Sequence, residues 1–314
     1  MNRPTPITGI TWYTPSPGTL LEGRDGRASI LFDGIPIPLE NADFKALAGA
    51  EPDYDMVGRG IYSALRTNPD CSCNTIYATW LRDAYPHLLA ELASHILMLD
   101  HKEVDVSYLD RKINYMKVMF LLEPDNAGLA AEIGAACLDR GLRMSSLLQC
   151  TVMLYRAEKY LEMAVDKTPD DLNVRLRYAE VQYLLGRYEN ASRIWGELRP
   201  LIERPESERL LLRTERILAG KFPKIPPVDY LEAIGVAFAC FQSGDVEECA
   251  AILADVLDDQ VFIEDFPMPE VWHHLGLCYQ NLAMPKNAAE CFTEALNRDP
   301  GYDDARKSLD ALAG

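Results

Sequence analysis

VWHHLGLCYQNLAMPKNAAECFTEALNRDP, Val271 to Pro300, decides how the rest of the chain is read. It holds two adjacent histidines, His273 and His274, and two cysteines, Cys278 and Cys291. Either these side chains form a metal site, or the stretch is one unit of a structural repeat. Adjacent residues on a helix diverge by roughly 100°, so His273 and His274 do not share one ion. His274 and Cys278 are four apart and share a face, but two ligands do not make a zinc site, and no third and fourth follow at a metal-binding spacing. Cys137, Cys240, Cys249, Cys278 and Cys291 all fall on expected helices, where cysteine serves as a small hydrophobe. The metal reading is set aside, and none of these residues is assigned as a ligand.

The repeat reading rests on eight residues. Trp272, Leu275, Gly276 and Tyr279 are followed by Ala288, Phe292, Ala295 and Pro300. This resembles the tetratricopeptide repeat family, whose signature is W-x2-L-G-x2-Y and then A, F, A and P within a unit of about 34 residues. The resemblance implies two antiparallel helices per unit. Gly276 and Ala288 are small where the helices cross, Trp272, Tyr279 and Phe292 fill the space between them, and Pro300 stops the second helix. With Pro269 as the first residue of the unit, the same offsets recur upstream. A unit from Tyr230 places Ala237, Gly244, Cys249, Leu253 and Val256 at matching positions, and one from Leu172 places Tyr178, Ala179, Gly186, Tyr188, Ala191 and Trp195.

Farther upstream the pattern loosens. Ala127 begins a half-matched unit 45 residues before Leu172, an excess of eleven. Eleven residues are about three helical turns, which predicts one long helix over 145–168. Segments ending at Pro69 and Pro124 resemble second helices, and Pro86 suits the first turn of a new helix. PESERLLLRTERILAG, 205–220, reads as an unpaired helix, and 303–313 as a polar capping helix. Asp25-Gly26 between two apolar runs predicts a β-hairpin that either caps the first helices or offers an exposed edge to a partner, capping being favoured because an uncovered edge is a liability.

The expected fold is therefore all-α: a tetratricopeptide-like helical solenoid of antiparallel helix pairs in a right-handed superhelix, with a small N-terminal β-hairpin-containing cap. Its expected parts are the cap at 1–50, divergent helical repeats at 51–126, and repeats with the long helix at 127–200. An extra helix and linker at 201–229 then lead to two units and the capping helix at 230–314.

Composition narrows the partners. The formal charge is −17, and residues 251–314 hold four basic against twelve acidic side chains. Such a chain repels phosphate backbones and anionic lipid, so neither nucleic acid nor membrane is an expected partner. The N-terminal MNRPTPITGITWYTPSPG has no apolar core of a signal peptide, and no apolar run reaches the roughly 18 residues of a membrane span. A cytoplasmic chain with reduced thiols is expected.

No chemistry-bearing motif stands out. The stretch VGRGIYSALR, 57–66, lacks the third glycine of a dinucleotide loop, and neither G-x-S-x-G nor H-E-x-x-H occurs. Cys71-Ser72-Cys73 reads as a helix start capped by Ser72 or Asn74. The expectation is a non-enzyme without cofactor. The alternative is an enzyme or a metal or small-ligand sensor within 53–122, using His87, His95, His101, Cys71 and Cys73.

In the family, positions 2, 5, 9, 12 and 13 of each first helix line a partner-binding groove. Carried over, these give Asn173, Leu176, Glu180, Tyr183 and Leu184; then Leu231, Ile234, Phe238, Phe241 and Gln242; then Glu270, His273, Leu277, Gln280 and Asn281. One subgroup of the family grips a chaperone's terminal carboxylate with lysine, asparagine and arginine. Here the corresponding positions hold Leu176, Ile234 and His273, then Glu180, Phe238 and Leu277, so that clamp is missing. The apolar middle set implies cover, either by a partner's apolar or amphipathic segment, which the acidic end would favour as a basic one, or by the chain's own helix at 205–220. In this reading His273 lines the groove and His274 points away from it. The oligomeric state is left open.

Overall fold

The computed structural model describes residues 4–23, 29–100, 105–203 and 206–313. The chain divides into two compact units, 1–133 and 134–314.

The first unit begins with four short strands, β1 (Ile10–Tyr13), β2 (Leu20–Glu22), β3 (Ser29–Leu31) and β4 (Ile37–Glu40). β1 pairs antiparallel with β4, Ile10 opposite Glu40, and β2 pairs with β3, Leu21 opposite Ile30. The expected hairpin is present as β2 and β3; its Asp25-Gly26 turn lies outside the described residues. Helices follow: α1 (Asn41–Ala46), α2 (Tyr54–Thr67), α3 (Asn74–Ala84), α4 (Pro86–Asp100), α5 (Val106–Leu122) and α6 (Ala127–Gly141), within which the division between units falls. The Met56 amide donates to the Asp53 carboxylate (2.8 Å), which starts α2. Gly60 of α2 lets β4 lie directly on the helix, since a Cβ there would stand 2.0 Å from the Pro38 carbonyl oxygen.

Ile37 and Leu39 of β4 are buried with Ile30 and Phe32 over Ile61, Leu65, Tyr77 and Leu81. Phe32 meets Trp80 edge-on at 5.7 Å. The strands therefore do cap helices, as the uncovered edge of a hairpin demands. The divergent repeats expected over 51–126 pack differently from a stack: α5 touches α2, α3 and α4 together, around one core.

The second unit opens with a 3-10 turn, Met144–Gln149, then α7 (Cys150–Lys167), α8 (Leu172–Leu184) and α9 (Tyr188–Leu198). Next come a short turn, Arg199–Leu201, and α10 (Glu206–Leu218), α11 (Pro227–Ser243) and α12 (Val246–Leu257). The unit ends with α13 (Gln260–Asp265), α14 (Pro269–Asn281), α15 (Pro285–Arg298) and α16 (Asp303–Ala313). Consecutive helices pack as pairs, α8 with α9, α11 with α12 and α14 with α15. Prolines 227, 269 and 285 occupy first turns, where their missing N–H costs nothing. Gly244 ends α11 at φ +89°, a conformation that favours glycine.

The pair α14–α15 shows what the signature residues do. Gly276 lies against the Phe292 ring, which a Cβ would meet at 2.4 Å, and Ala288, Phe292 and Ala295 are wholly buried. Burying a side chain such as Phe292 is worth about 1.5–3 kcal/mol.

Three expectations need correction. Residues 145–168 are not one helix: Ser146 Oγ donates back toward the carbonyls of Arg140 (2.9 Å) and Arg143 (3.0 Å), which favours a turn, and α7 starts only at Cys150. The helix expected at 205–220 is not unpaired, because α10 packs on α9. Neither Ser72 nor Asn74 caps α3; Cys73 holds that position at φ +62°, and the Asn74 side chain turns back to the Pro69 carbonyl (2.7 Å).

Candidate interaction site

The family-derived positions lie on α8, α11 and α14, and the second unit's own chain closes much of that face. On α8, Asn173 is exposed and Leu176 half-buried, but Tyr183 is buried and Glu180 is engaged. The group that closes them is Arg213 of α10. Its guanidinium, 4% exposed, lies 3.1 Å from Glu180 and 3.4 Å from Asp265 and stands over the rings of Tyr183 (4.9 Å) and Phe266 (5.5 Å). Tyr183 donates its hydroxyl to Asp265, and Arg216 pairs with the same carboxylate. Burial raises the Tyr183 hydroxyl far above its ordinary range and keeps it a donor, an effect reinforced by Asp265. A buried cation is tolerated here because two carboxylates and aromatic faces replace its water.

On α11, Leu231 and Ile234 are buried, so they line no open surface. They lie on the N-terminal half of α11, which packs against the 3-10 turn Met144–Gln149 and α7. Gly235 lets that turn approach: a Cβ would stand 2.6 Å from the Leu148 amide nitrogen. Thr151 of α7 bonds Glu232 of α11 in the same contact. The apolar middle set is thus partly self-packed, on a helix that packs on α12, α7 and this turn.

On α14, the two histidines exchange their expected roles. His273 is buried, with Nε2 3.1 Å from Ser308 Oγ and its ring 5.5 Å from both Phe292 and Tyr302. Burial, and then the neighbouring His274, hold its pKa below the ordinary value, against a smaller opposing pull from Asp304. His274 instead faces α11, its ring 4.2 Å from that of Phe238 and 5.8 Å from that of Phe241. Its Nδ1–H donates to the Glu270 carbonyl (2.9 Å). Phe238 and Phe241 are half-buried, Leu277 is half-buried beside the α15–α16 core, and Gln280 is exposed. An open aromatic surface thus remains on α11 and α14. His274 was missed because repeat positions alone do not say which neighbour a side chain meets. Arg213 left one sign, its place in the stripe Leu210, Arg213, Ile217 at helical spacing.

The cysteines behave as packing residues. Cys137, Cys249, Cys278 and Cys291 are buried and Cys240 is half-buried, with Cys278 Sγ 3.3 Å from Cys249 Sγ. In the first unit, His87 is exposed near Tyr85, and His95 lies 6.1 Å from the Tyr115 ring. Burial pushes the Cys71 thiol up to about 11, so it is held as a thiol rather than a nucleophilic thiolate. His101 lies outside the described residues. Among the described residues no group of three or more His, Cys, Asp or Glu side chains is placed to hold a metal ion, and no helix is long and apolar enough to cross a membrane.

Residues 269–302, the α14–α15 pair with its following turn, match the model of the tetratricopeptide repeat. The chain carries a tetratricopeptide repeat there. No curated protein sequence matches it. Solved structures similar to this chain include a tetratricopeptide repeat protein from Parabacteroides merdae ATCC 43184, 15% identical over 87% of this chain and 96% of that one, with a TM-score of 0.26. YrrB, described as having an unusual peptide-binding site, is 13% identical over 81% of this chain and 99% of its own, with a TM-score of 0.25. The P58(IPK) tetratricopeptide domain is 13% identical over 82% of this chain and 73% of its own, with a TM-score of 0.33. At such identities and TM-scores, none of them says what this chain binds.

Proposed function

We propose that this protein is a non-catalytic interaction scaffold that holds an apolar or amphipathic segment of a partner protein against α11 and α14. The segment seats on Phe238, Phe241 and His274, and the surface continues over Leu277 and Gln280. The observation that carries this reading is the pair of half-exposed phenylalanine rings around His274, on a face where Tyr183, Leu231 and Ile234 are buried by the chain itself. Burying such rings supplies about 25 cal/mol per Å² before ordering costs are subtracted. Asn173 and Leu176, at the start of α8, form a second stretch open to the same partner. The net charge of −17 favours basic residues flanking the segment and disfavours nucleic acid or anionic membrane.

Affinity capture from native cells tests it, with wild-type protein and Phe238→Asp as baits. The expected result is a defined partner retained about tenfold less by the variant, as for a buried aromatic anchor, with helicity unchanged by circular dichroism. Equal capture by both baits contradicts the reading. So does unfolding of the variant, which would make Phe238 part of the core.

A further inference from the structure

A second surface stands apart from the aromatic one. Leu148, Val152 and Tyr155, at the 3-10 turn and the first half of α7, are 50%, 51% and 54% exposed. Scattered exposed apolar residues need no explanation, but Val152 and Tyr155 lie three apart on one face of α7, and Leu148 ends the turn that leads into it. Val236 of α11 adjoins the Gly235 that packs under the Leu148 backbone, so the face continues onto α11. Arg156 and Lys159, both exposed, lie four residues beyond Val152 and Tyr155 and share that face. Across residues 140–159 the exposed basic side chains are Arg143, Arg156 and Lys159, against one half-buried acidic residue, Glu158, inside a chain with 31 basic and 48 acidic. This local reversal of sign on an apolar stripe marks a contact surface for an acidic, partly apolar partner.

The same chain offers such a partner. Between α12, α14 and α15 lies a cleft of about 730 Å³ lined by Leu257, Trp272, Leu275, Asp258, Glu290 and Glu294; Asp258 and Glu294 also pair with Lys224 and Arg298, while Glu290 is exposed. It belongs to the segment with twelve acidic and four basic residues. We infer that the Leu148–Val152–Tyr155 stripe of one copy docks in the acidic α12–α14–α15 cleft of a second copy. Because the two surfaces differ, the contact is heterologous, and repetition gives a ring or an open string rather than a two-fold dimer.

Sedimentation velocity over a concentration series tests this with purified full-length protein. The wild-type mass is expected to rise above the 35.2 kDa of one chain as concentration increases. Tyr155→Ser should lower this association by removing its apolar share. Two charge-reversed variants then decide the pairing: Arg156→Glu with Lys159→Glu, and Asp258→Lys with Glu290→Lys. Each reversed variant alone is expected to stay monomeric, and an equimolar mixture to associate again, because the reversed stripe of one meets the reversed cleft of the other. All four side chains are exposed, and circular dichroism verifies that both variants fold. A wild-type chain that stays monomeric, a reversed variant that still associates by itself, or a mixture that stays monomeric would each overturn the inference. Phe238→Asp, on the other surface, should leave the association unchanged.

Discussion

Arg213 is the residue on which the closed part of the α8 face turns. It was invisible to the repeat pattern because α10 is an insertion, and an arginine in a helix is ordinarily solvated. Buried between Glu180 and Asp265 and against Tyr183, Trp195 and Phe266, it cannot be removed without leaving carboxylates short of their partner. Arg213→Met is expected to cost about 3 kcal/mol in urea unfolding. Arg213→Lys should recover only part, because an ammonium lacks the planar fork and the stacking face. His273 makes a second residue-scale prediction. Its folded pKa lies below the ordinary 6.5, so the folded chain binds fewer protons than the unfolded chain at mildly acidic pH. Its contribution is complete above that ordinary value and is lost as pH falls from there through the lower folded value, with a slope of at most about 1.4 kcal/mol per pH unit. His273→Gln, which keeps a polar partner for Ser308, should flatten the pH dependence of the thermal midpoint between about pH 7 and pH 5. An unchanged slope would place the titration elsewhere.

At the scale of elements, legibility followed how completely packing demanded particular residues. The α14–α15 pair is legible because small and aromatic positions there are set by a close helix crossing, as Gly276 against Phe292 shows. The helix at 303–313 appears with those bounds as α16. The stretch before Cys150 was misread because helical spacing does not register that Ser146 bonds backwards and breaks the helix into a turn. That turn packs on α11 at Gly235, so one local error hid part of that helix's packing. Gly235→Ala tests the contact: its methyl group would meet the backbone of Leu147 and Leu148. A loss of about 1–3 kcal/mol is expected, together with faster amide hydrogen exchange across 144–149. Exchange unchanged in that segment would mean the turn does not depend on α11.

For the whole molecule, fold class and absence of recognisable catalytic motifs were readable from sequence, since repeat signature and composition are properties of many residues together. The site was only half readable. Family positions indicate which helices share a face, yet whether Tyr183, Leu231, Ile234 and His273 are open depends on insertions, the turn at 144–149, α10 and the terminal α16, that no repeat register contains. What remains open is the Phe238–Phe241–His274 surface, and the account stands on partners meeting the chain there. Photo-crosslinking in native cells tests it most directly, with a photoreactive amino acid at Phe241 and, separately, at the exposed Arg193 of α9. The account predicts a discrete partner adduct from position 241 that Phe238→Asp abolishes, and no such adduct from position 193. The same adduct from both positions, or one from 193 alone, would contradict it.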